Sequence, residues 1–203
     1  MINTNHINIK SSLFEEEIKK VIAKYSIEQI IETGTNTGVG STTILSNMNI
    51  PVITIECSVS NYNQARLNLF NKTNVTILNG FSLKKEEMIN FIVNDKKDHP
   101  ANIMIDTLDP VPFYLTEINF DVPEDLLFPL INNSSKQLIF LDSAGGIGYI
   151  EYLKVMSLQK DLLKNKVLVL DDIYHVKHYR SVLDLEQKGH KVIKYDRFCI
   201  VKL

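Results

Sequence analysis

Four short apolar runs in this chain each stop at an acid, and this pattern constrains the fold more than any other feature. A run within residues 27–33 stops at Glu32, Val52-Ile-Thr-Ile leads to Glu56, Gln137–Leu141 leads to Asp142, and residues 167–170 lead to Asp171-Asp172. Short continuous apolar runs rich in β-branched residues read as strands covered on both faces, and such strands are parallel. Between them the spacing changes to a helical period. Phe14, Ile18, Val21, Ile22 and Tyr25 line one face of a helix over 12–25, with capping-box spacing from Ser12 to Glu15. Further helices are predicted over 40–48, from a Ser58 cap to about residue 70, from a Ser82 cap through residue 93, and over 149–158 and 179–187. Residues 75–78 add a strand, and 191–195 and 198–202 form the last two. The link Asp196-Arg197 is too short for a parallel crossover, so these two make an antiparallel hairpin. The expected fold class is α/β: one domain over 1–203 with a single doubly wound, seven-stranded, mostly parallel sheet and a C-terminal antiparallel hairpin.

Composition exposes a second feature. The 22 basic and 24 acidic residues give a net charge of −2, which excludes a broadly basic nucleic-acid binder. The stretch 98–135 nevertheless holds seven acids, no Lys or Arg, and five of the six prolines. It is read as an acidic, proline-rich, lid-like insert, with a candidate eighth strand at 102–106 and a short helix over 123–131. Its aromatic and leucine residues argue against disorder. Residues 1–10 carry no apolar signal core, and no run approaches 18 apolar residues. The expectation is a cytoplasmic protein without membrane contact. Cys57 and Cys199 stand far apart without metal spacing, which excludes a disulfide scaffold.

Ligands of open α/β sheets bind beyond the carboxyl ends of the strands. Six of the eight glycines fall just after predicted strands, as Gly34/Gly38/Gly40 and Gly145/Gly146/Gly148. The first set lies in Glu32-Thr-Gly34-Thr35-Asn36-Thr-Gly38-Val-Gly40-Ser41-Thr42, between a strand and a helix. A turn alone needs fewer glycines; a loop that lets backbone approach a ligand needs them. Glu56, 24 residues after Glu32, suits the two hydroxyls of a ribose. The spacing G-x-x-x-G-x-G differs from the dinucleotide fingerprint G-x-G-x-x-G.

On these residues the sequence resembles the class I S-adenosylmethionine-dependent methyltransferases, specifically a bacterial small-molecule O-methyltransferase branch whose first motif reads E-T-G-T…G-x-G-[ST]-T. Supporting pieces are Ile55-Glu56-Cys57, Asn79-Gly80-Phe81-Ser82, Phe140-Leu141-Asp142 and Leu170-Asp171-Asp172. The resemblance implies that Glu32 and the loop Gly34, Thr35, Asn36, Gly38, Gly40, Ser41 and Thr42 hold the methionine end of the cofactor. Glu56 and Cys57 would lie at the ribose, Gly80, Phe81 and Ser82 at the adenine, and Asp142 beside the cofactor. Where the branch has L-D-A-H after the fourth strand, this chain has Leu141-Asp142-Ser143-Ala144.

Asp142, Asp171 and Asp172 end adjacent strands, and three oxygen ligands suit Mg²⁺, which would activate an acceptor hydroxyl. His175 is the candidate proton acceptor, beside Asp142 and Asp172 as catalytic acids. The expected activity is methyl transfer to a hydroxyl of a small molecule, a sugar or secondary metabolite. The insert is a candidate interface for a homo-oligomer. Two alternatives stay open at this point: a NAD(P)-dependent oxidoreductase, and a non-catalytic nucleoside-binding or interaction protein.

Overall fold

The computed structural model describes residues 12–95, 99–103 and 118–203. Seven strands form one sheet: β1 (Gln29–Thr33), β2 (Val52–Glu56), β3 (Val75–Asn79), β4 (Gln137–Leu141), β5 (Lys166–Leu170), β6 (Val192–Lys194) and β7 (Cys199–Lys202). Their order is β3-β2-β1-β4-β5-β7-β6. The first five are parallel, and β7 runs antiparallel to both β5 and β6. The order reverses between β1 and β4, so a crevice opens at the carboxyl ends of these two strands.

The described helices are α1 (Ser12–Tyr25), α2 (Ser41–Leu45), α3 (Val59–Asn68), α4 (Lys85–Asn94), α5 (Leu127–Ile131), α6 (Gly145–Met156), α7 (Lys160–Leu163) and α8 (Tyr179–Gln187). Side chains alternate across a strand, and here both faces are apolar. Ile30, Val52, Leu138, Phe140, Val167 and Val169 pack beneath α1 and α2. Ile31, Ile55, Ile139, Leu141, Leu168 and Leu170 pack against α5, α6 and α8. A third cluster joins Phe81 and Leu83 to Met88 and Ile92 of α4 and to Ile118. Among the described residues no helix is long and apolar enough to cross a membrane.

Several element boundaries differ from the sequence expectation, among them the short helix expected over 123–131, which begins only at Leu127. Helix α4 begins at Lys85, not at a Ser82 cap, because the carboxylate of Glu124 accepts the Lys85 backbone N–H at 2.7 Å. The Ser82 hydroxyl is bound elsewhere, to Glu151. Helix α6 begins at Gly145, so the second glycine group lies in its first turn rather than in a loop. Residues 101–103 form a turn rather than a strand, and the remainder of the 102–106 candidate lies outside the described residues. The Ser58 cap is as expected, with its hydroxyl accepting from the Asn61 N–H.

The described end of the insert is bonded to the turn after β3. Pro123 O accepts from Phe81 N, Leu126 N donates to Phe81 O, and Leu127 N donates to Ser82 O. Gly80 has no room for a side chain there: a Cβ would lie 2.5 Å from a Leu126 methyl and 2.7 Å from Pro123 O.

Phe14 ties α1 to the sheet. It is fully buried, 5.3 Å from the Phe140 ring and 5.1 Å from the Phe198 ring in edge geometry. Truncating Phe14 to Ala should cost about 3–5 kcal/mol through lost burial and the cavity left behind, measured as a shift in the urea unfolding midpoint.

Candidate cofactor and acceptor site

The loop after β1 is held from both sides. Gly34 N and Thr35 N donate to Ile55 O, and Gly38 N donates to Thr35 O. Gly34 has φ +83, and a Cβ there would meet Asp142 O at 2.6 Å. Only glycine lets the end of β1 pass so close to the end of β4. Asn36 is also left-handed, at φ +52, a conformation that asparagine tolerates.

Glu32 is fully buried. Ser41 Oγ and Thr42 Oγ1 donate to its two oxygens, each at 2.7 Å. Burial pushes its carboxyl above the ordinary range, and these hydroxyls oppose the rise. Glu32, Ser41 and Thr42 thus form an internal bracket that fastens α2 to β1.

Glu56 takes backbone hydrogens instead. Its oxygens accept from Asn36 N at 2.7 Å and from Ser58 N at 2.8 Å. One carboxylate therefore sets both the glycine loop and the start of α3. Cys57 is half-buried beside it, with Sγ 4.0 Å from Glu56 Oε1. Phe81 is buried in the third apolar cluster, with the Lys85 ammonium 5.4 Å from its ring centre.

Glu151 of α6 joins the ends of three strands, and its position in mid-helix offers no sequence signal for this. It is fully buried and accepts from Thr33 Oγ1 at 2.8 Å, Ser143 Oγ at 2.7 Å and Ser82 Oγ. Those hydroxyls belong to β1, to the residue after Asp142 and to the turn after β3. Burial raises its carboxyl, and the three hydroxyls moderate the rise.

The three predicted aspartates do converge, with a carboxylate oxygen of each within 4.8 Å of the others. Asp171 is fully buried, while the Asp142 and Asp172 side chains keep 19% and 23% of their exposure. Of the three, only the latter two are open to solvent. Asp172 is held at φ +52. Lys177 enters the cluster, its Nζ 2.6 Å from Asp142 Oδ1, 3.1 Å from Asp172 Oδ2 and 3.7 Å from Asp171 Oδ2. Arg197 arrives from the β6–β7 turn and places Nε and Nη2 on the two oxygens of Asp171, at 2.8 and 2.6 Å. Its Nε also lies 2.9 Å from Asp172 Oδ1.

These contacts set the protonation states. Burial would strip the Lys177 proton, but the three carboxylates, Asp142 foremost, outweigh it and hold the ammonium charged. Burial likewise works against the Asp171 anion; Lys177 and the Arg197 fork prevail and bring its pKa down to about 2. Burial raises Asp142, with Lys177 acting against the rise.

His175 is half-buried, and its Nδ1 accepts from Lys177 N at 3.2 Å. The neutral ring therefore carries its hydrogen on Nε2. His178 is fully buried at the start of α8. Its Nε2 lies 3.1 Å from Leu141 O and its Nδ1 3.2 Å from Ser181 Oγ. A carbonyl can only accept, so Nε2 carries the hydrogen.

No protein-family model and no curated protein matches the sequence. Solved methyltransferase structures do match its fold. The Bacillus cereus O-methyltransferase in complex with S-adenosylhomocysteine superimposes with a TM-score of 0.54 at 16% identity, covering 95% of this chain and 82% of that one. The Podospora anserina methyltransferase bound to S-adenosylhomocysteine gives 0.52 at 13%, covering 96% and 79%. The O-methyltransferase TomG from Streptomyces achromogenes, in complex with S-adenosylmethionine, gives 0.51 at 15%, covering 95% and 80%. The chain has the class I methyltransferase fold. Within that fold, the sequence-predicted residues Glu32, Gly34, Thr35, Asn36, Gly38, Gly40, Ser41, Thr42, Glu56, Cys57, Gly80, Phe81 and Ser82 lie in the last residues of β1 and β2 or in the segments that follow β1, β2 and β3. Asp142, Asp171, Asp172 and His175 lie beyond β4 and β5.

The expected Mg²⁺ does not fit this carboxylate cluster as it is packed. A divalent ion would need lone pairs that already receive hydrogens from Lys177 and Arg197, and it would sit beside two fixed positive charges. Sequence reasoning did not find the part played by Lys177 and Arg197, because neither is near the aspartates in strand register.

Two outcomes follow from these contacts. Glu151→Ala should destabilise the protein by about 1–3 kcal/mol, since three hydroxyls, those of Thr33 and Ser82 buried, lose their acceptor. Glu151→Gln, which keeps an acceptor oxygen, should cost less in the same denaturant titration. The second outcome concerns pH. Burial, aided by the Lys177 charge, lowers the His178 pKa from 6.5 to about 3. Below pH 6.5 the unfolded chain takes a proton that the folded chain refuses, so stability falls as pH drops from 6.5 towards 3. Urea titrations at pH 7 and pH 5 should show His178→Gln losing less stability than the parent. The gap should narrow by about 1.4 kcal/mol per pH unit below 6.5.

Proposed function

We propose that this protein is an S-adenosylmethionine-dependent methyltransferase that transfers a methyl group to a hydroxyl of a small molecule, a sugar or secondary metabolite. The observation that carries this reading is the double hold of Glu56 on Asn36 and Ser58. It fixes an acid and a glycine-turned loop side by side at the switch point. An acid fixed at the end of β2 beside such a loop suits the hydroxyls of a ribose. The cofactor-bound structures of the same fold support the same ligand.

When bound, the cofactor supplies a methyl group made electrophilic by an adjacent sulfonium. The chain's own part is to orient the acceptor, receive its proton and keep water out. Asp142 and Asp172, the partly exposed members of the cluster, are the groups assigned to the acceptor hydroxyl. His175 is less well placed as the base, because its Nδ1 accepts from Lys177 N and its Nε2 already bears hydrogen. The insert is the acceptor-side element. Two of its acids are already engaged: Glu124 caps α4, and Asp125 lies 3.5 Å from Lys154.

Isothermal calorimetry tests this reading. S-adenosylhomocysteine should bind more tightly than NAD, and Glu56→Ala should weaken it by about 1–3 kcal/mol. Tighter binding of NAD would sink the proposal.

A further inference from the structure

We infer that Lys177 takes the place of a divalent cation in this site: the carboxylate cluster is closed to metal by a cation of the chain itself, and removing that side chain converts it into a metal site. The inference uses the acceptor site proposed above for its meaning, but its geometry and its test stand without that reading.

Three observations carry it. First, the charges are nearly balanced. The carboxyl groups of Asp142, Asp171 and Asp172 are already met by the two cations Lys177 and Arg197. An added divalent ion would overturn that balance, whereas losing Lys177 removes the cation shared by all three carboxyl groups and leaves its place open to another. Second, the ammonium is central to the cluster. It is within 4 Å of all three carboxylates, and its residue is only 4% exposed. Arg197 pairs with Asp171 and Asp172. Third, the fold makes room for the lysine. A Cβ on Gly148 of α6 would lie 2.6 Å from Lys177 Cγ and 2.9 Å from His178 Nε2. Any other residue at 148 would push the lysine stem out of the cluster. The His178 ring, bonded to Leu141 O at the end of β4, fixes the backbone next to it.

Three oxygen ligands this close would otherwise suit Mg²⁺ or Mn²⁺. A cation carried on the chain differs in consequence. It needs no loading, cannot be chelated, and leaves no open coordination position for an acceptor oxygen. Lys177 is thus a positioning residue: it holds Asp142 and Asp172 in place for the acceptor rather than ligating it.

The test is Mn²⁺ binding to the full-length protein, followed by the loss of the free-ion electron paramagnetic resonance signal, with S-adenosylhomocysteine calorimetry run in parallel. The parent protein should bind no Mn²⁺ at millimolar concentrations, and its S-adenosylhomocysteine affinity should be the same in EDTA and in Mg²⁺. Lys177→Ala should bind one Mn²⁺ per chain, at least tenfold more tightly than the parent. Stoichiometric Mn²⁺ binding by the parent would overturn the inference. So would a folded Lys177→Ala variant with no gain in Mn²⁺ affinity. Should that variant be unstable, Mn²⁺ must raise its melting temperature, and a melt unmoved by Mn²⁺ also overturns it. Failure of S-adenosylhomocysteine to bind the parent would instead count against the proposed cofactor and leave the metal result to be read separately.

Discussion

Six carboxylates are drawn to the carboxyl edge of one sheet, and the arrangement of the whole edge depends on how each is compensated. Removing a charge from water is costly unless hydrogen bonds or opposite charges replace the lost solvation. Each position solves this differently. Glu32 and Glu151 are met by hydroxyls. Glu56 is met by backbone N–H groups. Asp142, Asp171 and Asp172 are met by Lys177 and Arg197. The type of partner decides what remains for a ligand. Hydroxyl-bound acids act as internal brackets, the backbone-bound acid shapes a loop, and the cation-bound acids form a site whose charge is already settled.

Close backbone approach is the second constraint, and it explains the glycines. Parallel register brings Thr33 beside Leu141, so the residues after both strands must pass each other. Gly34 allows that passage against Asp142. Gly148 serves a different contact, admitting the Lys177 and His178 side chains against α6. The two glycine groups look alike in sequence. One turns a loop, and the other thins the surface of a helix so that a charged side chain can lie against it.

The strands were legible because strands buried on both faces must be apolar throughout. Gln137–Leu141 and Tyr179–Gln187 fall where the pattern placed them. The closing hairpin followed from the shortness of Asp196-Arg197, and β7 pairs antiparallel with β6 as that link requires. The start of α4 was misread because a local serine was credited with a cap that Glu124 provides from 39 residues away. The burial of His178 was not legible in the sequence, because a polar residue near a helix start carries no local sign of it. Its partner, Leu141 O, is 37 residues distant.

The sequence by itself determined the α/β class, the acids at the strand ends and the glycine-turned loop after β1, since each follows from patterns within a dozen residues. Only the tertiary structure decided which of those acids keep some exposure and which are fully buried. It also decided that Lys177 and Arg197, from two separate loops, fill the cluster that the aspartates alone would have offered to a metal. The physical reason is that charge compensation acts through space over a few ångströms. The partner of a buried carboxylate is therefore chosen by the packing of the sheet edge, whether it stands near along the chain, as Lys177 does to Asp172, or far, as Arg197 does.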